Sequence, residues 1–389
     1  MHIGVDATCW QNRRGYGRHA RALLSALGRL DAGTRYTLFL DSPEDTGNIP
    51  PRFEARLLNN DVPTSVAAAA AGRRSLADLW RVSRAFSNVA VDALLFPTIY
   101  SFVPTITRAR KLVMIHDVIA ETFPKLTVPR LSARLFWKAK VAFGRWQADA
   151  LITVSDYSRQ RIVEYFGVPA DRVFVVGEAA DPVFRPLDSP QPTERLRALG
   201  IDGSRRTIAY VGGFSPHKNL EELVTAFAAL ASRNEFADLL LVMVGDYQGD
   251  VFHSYFGSIR DQVARLGLQD RILFPGFVPD DELTILLNLS TALVLPSLME
   301  GFGLPAVEAA ACGCPVIATR NSPLPELLGG GAIYITPGKQ ELEGALETLL
   351  GSGPMQSRMR AAARDAAGRL TWDAAARQMM DVMRKVVNS

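Results

Sequence analysis

Two glutamates, Glu300 and Glu308, stand with seven residues between them in the stretch SLMEGFGLPAVEAAACGCPVIATR, Ser297–Arg320. The first falls in a glycine-rich turn after the apolar run TALVLPS. The second falls about one turn beyond Pro305, and proline is favoured where a helix begins. Gly301 and Gly303 let the backbone approach a ligand closely, and the open N–H groups of a helix start attract an anion. An acid on each side of such an anion can grip two parts of one ligand. Acids near a helix N-terminus also favour the helix by ~0.3–1 kcal/mol each. That effect accounts for Glu308 but leaves Glu300 and its flanking glycines unexplained.

A second candidate is YVGGFSPHKNLEELVTAF, Tyr210–Phe227. Asn219 and Glu222 have the spacing of a capping box, which predicts Lys218 and His217 at a helix N-terminus. A cation there opposes the macrodipole, so it makes sense with an anion such as a diphosphate between it and the helix. A lysine pointing to water is the competing explanation. The segment NRRGYGRHARALLSAL places Gly15, Gly17 and Arg18 at a helix start after the first strand, like a phosphate-binding turn but short of a full G-x-G-x-x-G. No acid stands where ribose binding would need one, which disfavours a nicotinamide oxidoreductase. In KLVMIHDVIAETFP, His116 and Asp117 fall at the carboxyl end of a strand. The histidine is either catalytic or a structural ring held by Asp117.

The elements that must position these residues follow from the hydrophobic pattern. Short apolar runs alternate with helical patterns, which predicts parallel sheets covered by helices. Candidate strands are HIGVDA, YTLFL, ALLFP, KLVMIH, ALITVS and RVFVVG in the first half. In the second half they are TIAYVGG, LLLVMVG, RILFPG, ALVLPS, PVIAT and AIYIT. Each set suffices for a doubly wound sheet, whose ligands bind at the carboxyl ends of the strands. Prolines at 182, 186, 190 and 192 mark a linker between the sets. The expected domains are residues 1–188 and 189–371, closed by an amphipathic helix over 372–389. The run VAAAAAG, Val66–Gly72, is of low complexity.

At 389 residues the chain suits two or three domains, and its net charge of +3 gives no global field for nucleic acid. Three cysteines, Cys9, Cys312 and Cys314, provide no disulfide framework and suit a reducing compartment. No Cys or His cluster with metal-ligand spacing accompanies the C-x-C. The opening MHIGVDATCW is an expected strand rather than a signal peptide, and no apolar run reaches the ~18 residues of a membrane span. The expected location is the cytoplasm. There is no G-x-S-x-G elbow, no Walker lysine motif and no Asp-x-Asp pair, so no metal-bridged diphosphate is expected.

Taken together, these residues resemble the retaining glycosyltransferases of family 4, in particular bacterial mannosyltransferase-like members. Glu300-GFGLPAV-Glu308 looks like their E-x7-E motif. GVDAT…GYGRHARALLSAL, MIHDVIAETFP, YVGGFSPHKNL, ILFPGFVPDDEL and GCPVIATRNSPLPEL match further segments in order. ALITVSDYSRQRIVEYFGVPADRVFVVGEAADPVFRP resembles the family's passage between domains. The resemblance implies a GT-B fold, with two Rossmann-like domains facing across a cleft and a C-terminal helix returning toward the N-terminal domain. It implies a nucleotide-sugar donor, with GDP-mannose the leading candidate, and a metal-independent reaction.

The resemblance also implies residue roles. Glu300 would contact the donor sugar and Glu308 the ribose, with backbone contacts from Gly301, Phe302, Gly303 and Leu304. Lys218 would stabilise the leaving diphosphate, Gly17 would cover it, and His116 would face the reacting sugar. Phe277 and Val278 would lie by the nucleobase. Many members carry an arginine where this chain has Gly213, so the second charge would come from Arg18 or His217, or diphosphate binding would be weaker. Two rivals are a nucleotide-sugar epimerase of similar fold and a catalytically silent scaffold in polysaccharide biosynthesis.

The acceptor is expected to be a glycan or a lipid-linked sugar. In Lys125–Gln147, six Lys or Arg residues interleave with seven large apolar ones. Such a helix can lie on the anionic inner face of a membrane, or it can pack within the domain with a solvated basic face.

Overall fold

The computed structural model describes residues 1–12, 15–58, 76–247 and 254–389. Val66–Gly72 lies outside the described residues. The chain divides into two compact units, Met1–Glu178 with Thr371–Ser389, and Ala179–Leu370.

The first unit carries a seven-stranded sheet of β1 (His2–Asp6), β2 (Arg35–Leu40), β3 (Glu54–Leu57), β4 (Ala93–Phe96), β5 (Arg110–Met114), β6 (Ala150–Thr153) and β7 (Val173–Val175). Their order is β3-β2-β1-β4-β5-β6-β7 and every pairing is parallel. The central strands read as continuous apolar runs because helices cover both faces, and β4 and β6 are buried throughout. β3 was not expected. Its sequence EARL has no apolar pattern, all four residues are exposed, and it forms the sheet edge, where Glu54 pairs with Arg35.

The second unit carries six parallel strands, β8 (Thr207–Val211), β9 (Leu240–Val244), β10 (Ile272–Gly276), β11 (Ala292–Leu295), β12 (Val316–Thr319) and β13 (Ala332–Ile335), in the order β10-β9-β8-β11-β12-β13. Both sheets are doubly wound, with the strand order reversing at β1/β4 and at β8/β11.

The proline-rich stretch belongs to the second unit. It is tied to helix Asp280–Leu289: Leu187 N–H donates to Asn288 Oδ1 at 2.9 Å, and Thr193 Oγ1 donates to Glu282 Oε1 at 3.0 Å. The C-terminal helix Trp372–Val387 belongs to the first unit and packs on helix Gly15–Leu30, where Arg29 pairs with Asp373 at 2.8 Å.

Helix Leu131–Gln147 seats a small inner face on the first unit. Val141 and Gly144 are buried, and a Cβ on Gly144 would stand 2.5 Å from Ile99 Cδ1. Its outer face is apolar: Leu131, Leu135, Phe136, Phe143 and Trp146 are each more than half exposed. A helix buried in its domain with only a basic face in water is therefore not what forms. Among the described residues no helix is long and apolar enough to cross a membrane.

Candidate active site

β8 and β11 are neighbours at the point where the second sheet's order reverses, so the loops leaving their carboxyl ends flank the crevice of a doubly wound sheet. Lys218 comes from the first loop and Glu300 from the second. Leu298 N–H donates to His217 O at 2.9 Å, which holds the loops together. Lys218 Nζ donates to Glu300 Oε1 at 2.7 Å, and Ser297 Oγ donates to the same oxygen at 2.6 Å.

Glu300 is 7% exposed. Burial pushes its carboxyl up, but the charge and hydrogen bond of Lys218, with the Ser297 hydroxyl, outweigh it and hold the group below the usual carboxylate value. His217 shifts the other way: burial and the adjacent Lys218 bring it down to about 3, and its Nδ1 is buried without a hydrogen-bond partner. In the empty protein this imidazole is therefore held in its neutral form at neutral pH.

The capping box at Asn219 does not form. Asn219 precedes helix Leu220–Ala231 with φ +58°, its side chain makes no cap, and Nδ2 instead donates to Pro296 O at 3.2 Å. It is the one non-glycine with positive φ among the described residues. The side chain expected to cap a helix serves instead to join the two site loops.

Gly303 caps helix Leu304–Ala311 at φ +85°, where a Cβ would also stand 2.9 Å from Leu324 Cδ1, so both backbone and space require glycine. Gly301, Phe302 and Leu304 are buried around it, and Glu308 lies inside the helix at 1% exposure. Gly213 differs: a Cβ there would meet nothing within 4 Å, and its carbonyl accepts from Tyr210 Oη at 2.5 Å. Phe277 is 43% exposed beside buried Val278, and Arg195 holds their turn through Pro275 O and Phe277 O at 3.1 and 2.8 Å.

In the first unit, Asp117 lies beside His116 and also bonds its own loop. Its Oδ1 accepts from Ile119 N–H at 2.8 Å. Glu178, just beyond β7, also meets His116, with Oε1 3.7 Å from His116 Nδ1 and 2.9 Å from His19 Nδ1. Neither Glu178 nor His19 was a candidate from sequence, because nothing in their spacing joins residues so far apart. Their only signal is that each follows a strand. Donor atoms of His19, His116 and Glu178 all lie within 4.8 Å of one another, a grouping that the sequence did not suggest. Gly17 is buried in the first turn of helix Gly15–Leu30, where a Cβ would come 2.1 Å from Asn12 O, so packing already requires glycine there. Arg18, the next residue, is half-buried.

Two family models match in succession. Glycosyltransferase Family 4 covers residues 13–183, and Glycosyl transferases group 1 covers residues 193–366. Among curated relatives, O-antigen chain mannosyltransferase B of Escherichia coli is 30% identical over 49% of this chain and 48% of its own length. Serotype-specific mannosyltransferase WbdA of Escherichia coli is 25% identical over 96% of this chain and 46% of its own. The chain thus spans about half the length of these relatives. Among solved structures, sucrose-phosphate synthase from Thermosynechococcus elongatus superposes with a TM-score of 0.77 at 20% identity, covering 99% of both chains, a likeness of fold.

Proposed function

Since this chain belongs to glycosyltransferase family 4 and has its GT-B fold, we propose that it moves a sugar from a nucleotide diphosphate donor to a hydroxyl of a glycan or lipid-linked acceptor, retaining the anomeric configuration. The observation that carries this reading is the Lys218–Glu300 pair at the β8/β11 switch point, 2.7 Å apart. A lysine that already has a carboxylate partner when empty is held in place before the donor arrives. Such preorganisation matters where negative charge builds on a leaving diphosphate.

In this reading the bond from the anomeric carbon to the diphosphate breaks and one to the acceptor oxygen forms on the same face. The acceptor's proton leaves with the diphosphate or to solvent. Lys218 stabilises the departing charge without a metal. Glu300 contacts the sugar and Glu308 the ribose, with Gly301, Phe302, Gly303 and Leu304 giving backbone contacts. Phe277 and Val278 attend the nucleobase, while His116, Gly17 and Arg18 serve the same reaction. Mannose from GDP-mannose is the favoured donor, supported by the mannosyltransferase relatives. The exposed apolar stripe of helix Leu131–Gln147, in a segment without a single acid, supports contact with the inner face of a membrane carrying a lipid-linked acceptor.

Incubation with a panel of nucleotide sugars, with and without acceptor extracts, tests the reading by product analysis. Transfer predicts nucleoside diphosphate together with a glycosylated product. An isomerised sugar nucleotide would mean an epimerase, and no turnover a scaffold.

A further inference from the structure

The buried trio of His19, His116 and Glu178 has no place in the roles above beyond His116 itself. His19 is fully buried, Glu178 is 7% exposed, and neither ring nitrogen of His19 makes a well-aligned hydrogen bond. The two imidazoles meet edge to face with centroids 5.0 Å apart. Three elements contribute: helix Gly15–Leu30, the loop after β5 and the segment after β7.

We infer that Glu178 is the positioning residue for His116, its carboxylate charge facing one edge of the ring while the carbonyl of Pro97 accepts a hydrogen bond from the other. The inference rests on the reading that His116 serves the transfer. His116 Nε2 lies 3.0 Å from Pro97 O; a carbonyl only accepts, so this nitrogen carries a proton. Nδ1 faces Glu178 Oε1 at 3.7 Å, so a proton there is favoured as well. Burial opposes the charge, yet Glu178, the Pro97 carbonyl and Asp117 together raise His116 above its ordinary value. At His19 burial outweighs the nearby Glu178 and brings the ring below its ordinary value, toward the neutral form. Glu178 itself, despite burial, is held at about 2 by the two rings. Asp117 lies beside His116, and Glu121 lines the same hollow.

A metal ion is the other use for such a trio. Donors on one tetrahedral zinc, each bonded at ~2.0–2.2 Å, stand about 3.4 Å apart. His19 Nδ1 and Glu178 Oε1 are 2.9 Å apart, closer than two ligands of a tetrahedral zinc stand, which favours a direct polar contact between them.

The test follows the histidine ring protons by NMR across pH in the wild-type protein, in Glu178→Gln and in His19→Gln, with kcat and KM measured over the same range. In the wild type His116 should titrate above about 6.5 and His19 below it. Glu178→Gln should lower the His116 midpoint by at least one pH unit. The alkaline fall of kcat should move with it, and donor KM should change less than twofold. His19→Gln should leave the His116 midpoint in place. A wild-type midpoint below 6.5, a midpoint unmoved in Glu178→Gln, or stoichiometric metal in the purified protein would overturn the inference. A midpoint that moves while kcat does not would support the positioning and instead overturn the catalytic role of His116.

Discussion

Lys218 and Glu300 lie 82 positions apart in sequence and 2.7 Å apart in the fold, joined through an oxygen that also accepts from Ser297. The pair changes what Lys218 does in the empty protein. From sequence it is a cation opposing a helix dipole, whose removal would leave stability unchanged or slightly improved. In the fold it neutralises a buried carboxylate.

Lys218→Ala should therefore destabilise the empty protein, by about 3–5 kcal/mol for a buried ion pair that loses one partner. The sign with pH follows from Glu300, whose pKa is lowered on folding. Its contribution is present above the ordinary carboxylate value and disappears as pH falls through the lowered folded value. Denaturant unfolding at neutral and acid pH should show a wide gap between wild type and variant that narrows in acid. A variant as stable as wild type at neutral pH would mean that the pair contributes nothing.

The two acids should separate by assay. Glu308→Gln should weaken nucleotide binding, since a charged hydrogen bond to a ribose hydroxyl contributes ~1.5–3 kcal/mol. Glu300→Gln should lower turnover with little change in affinity for the bare nucleoside diphosphate. Calorimetry beside initial rates checks both, and equal losses of affinity would contradict the division.

Gly213→Arg should be tolerated, because a Cβ meets nothing within 4 Å and φ is not positive there. If the diphosphate lies by this loop, the added charge should tighten nucleoside diphosphate binding several-fold at low salt and less at high salt. No change at low salt would place the diphosphate elsewhere.

On the membrane side, wild-type protein should co-sediment with vesicles containing anionic lipid and stay in solution with neutral ones. Phe136→Glu with Trp146→Glu should abolish binding while leaving the thermal midpoint unchanged, since both side chains are more than half exposed. Binding that survives the double substitution would show that another surface is responsible.

Among the described residues, twelve of the thirteen strands were legible because buried parallel strands are short apolar runs between turns. β3 was not, since an exposed edge strand needs no such pattern. That Lys218 and Glu300 follow strands was legible, because each comes shortly after a short apolar run. What sequence could not give was pairing across space. Asn219 looks like a cap and is a loop tie. Glu178, an acid that faces the His116 ring, sits over sixty residues away in the chain.

The claim that Lys218 and Glu300 form the donor site is tested most directly by titrating nucleoside diphosphates into wild-type protein and Lys218→Ala by calorimetry, with turnover measured on the same preparations. The account predicts that the variant binds GDP or its matching nucleoside diphosphate at least tenfold more weakly. Turnover should also fall by roughly 100-fold, the scale for losing one preorganised electrostatic donor. A folded variant with unchanged affinity and nearly full turnover would contradict it and leave the pair a structural feature of the second unit.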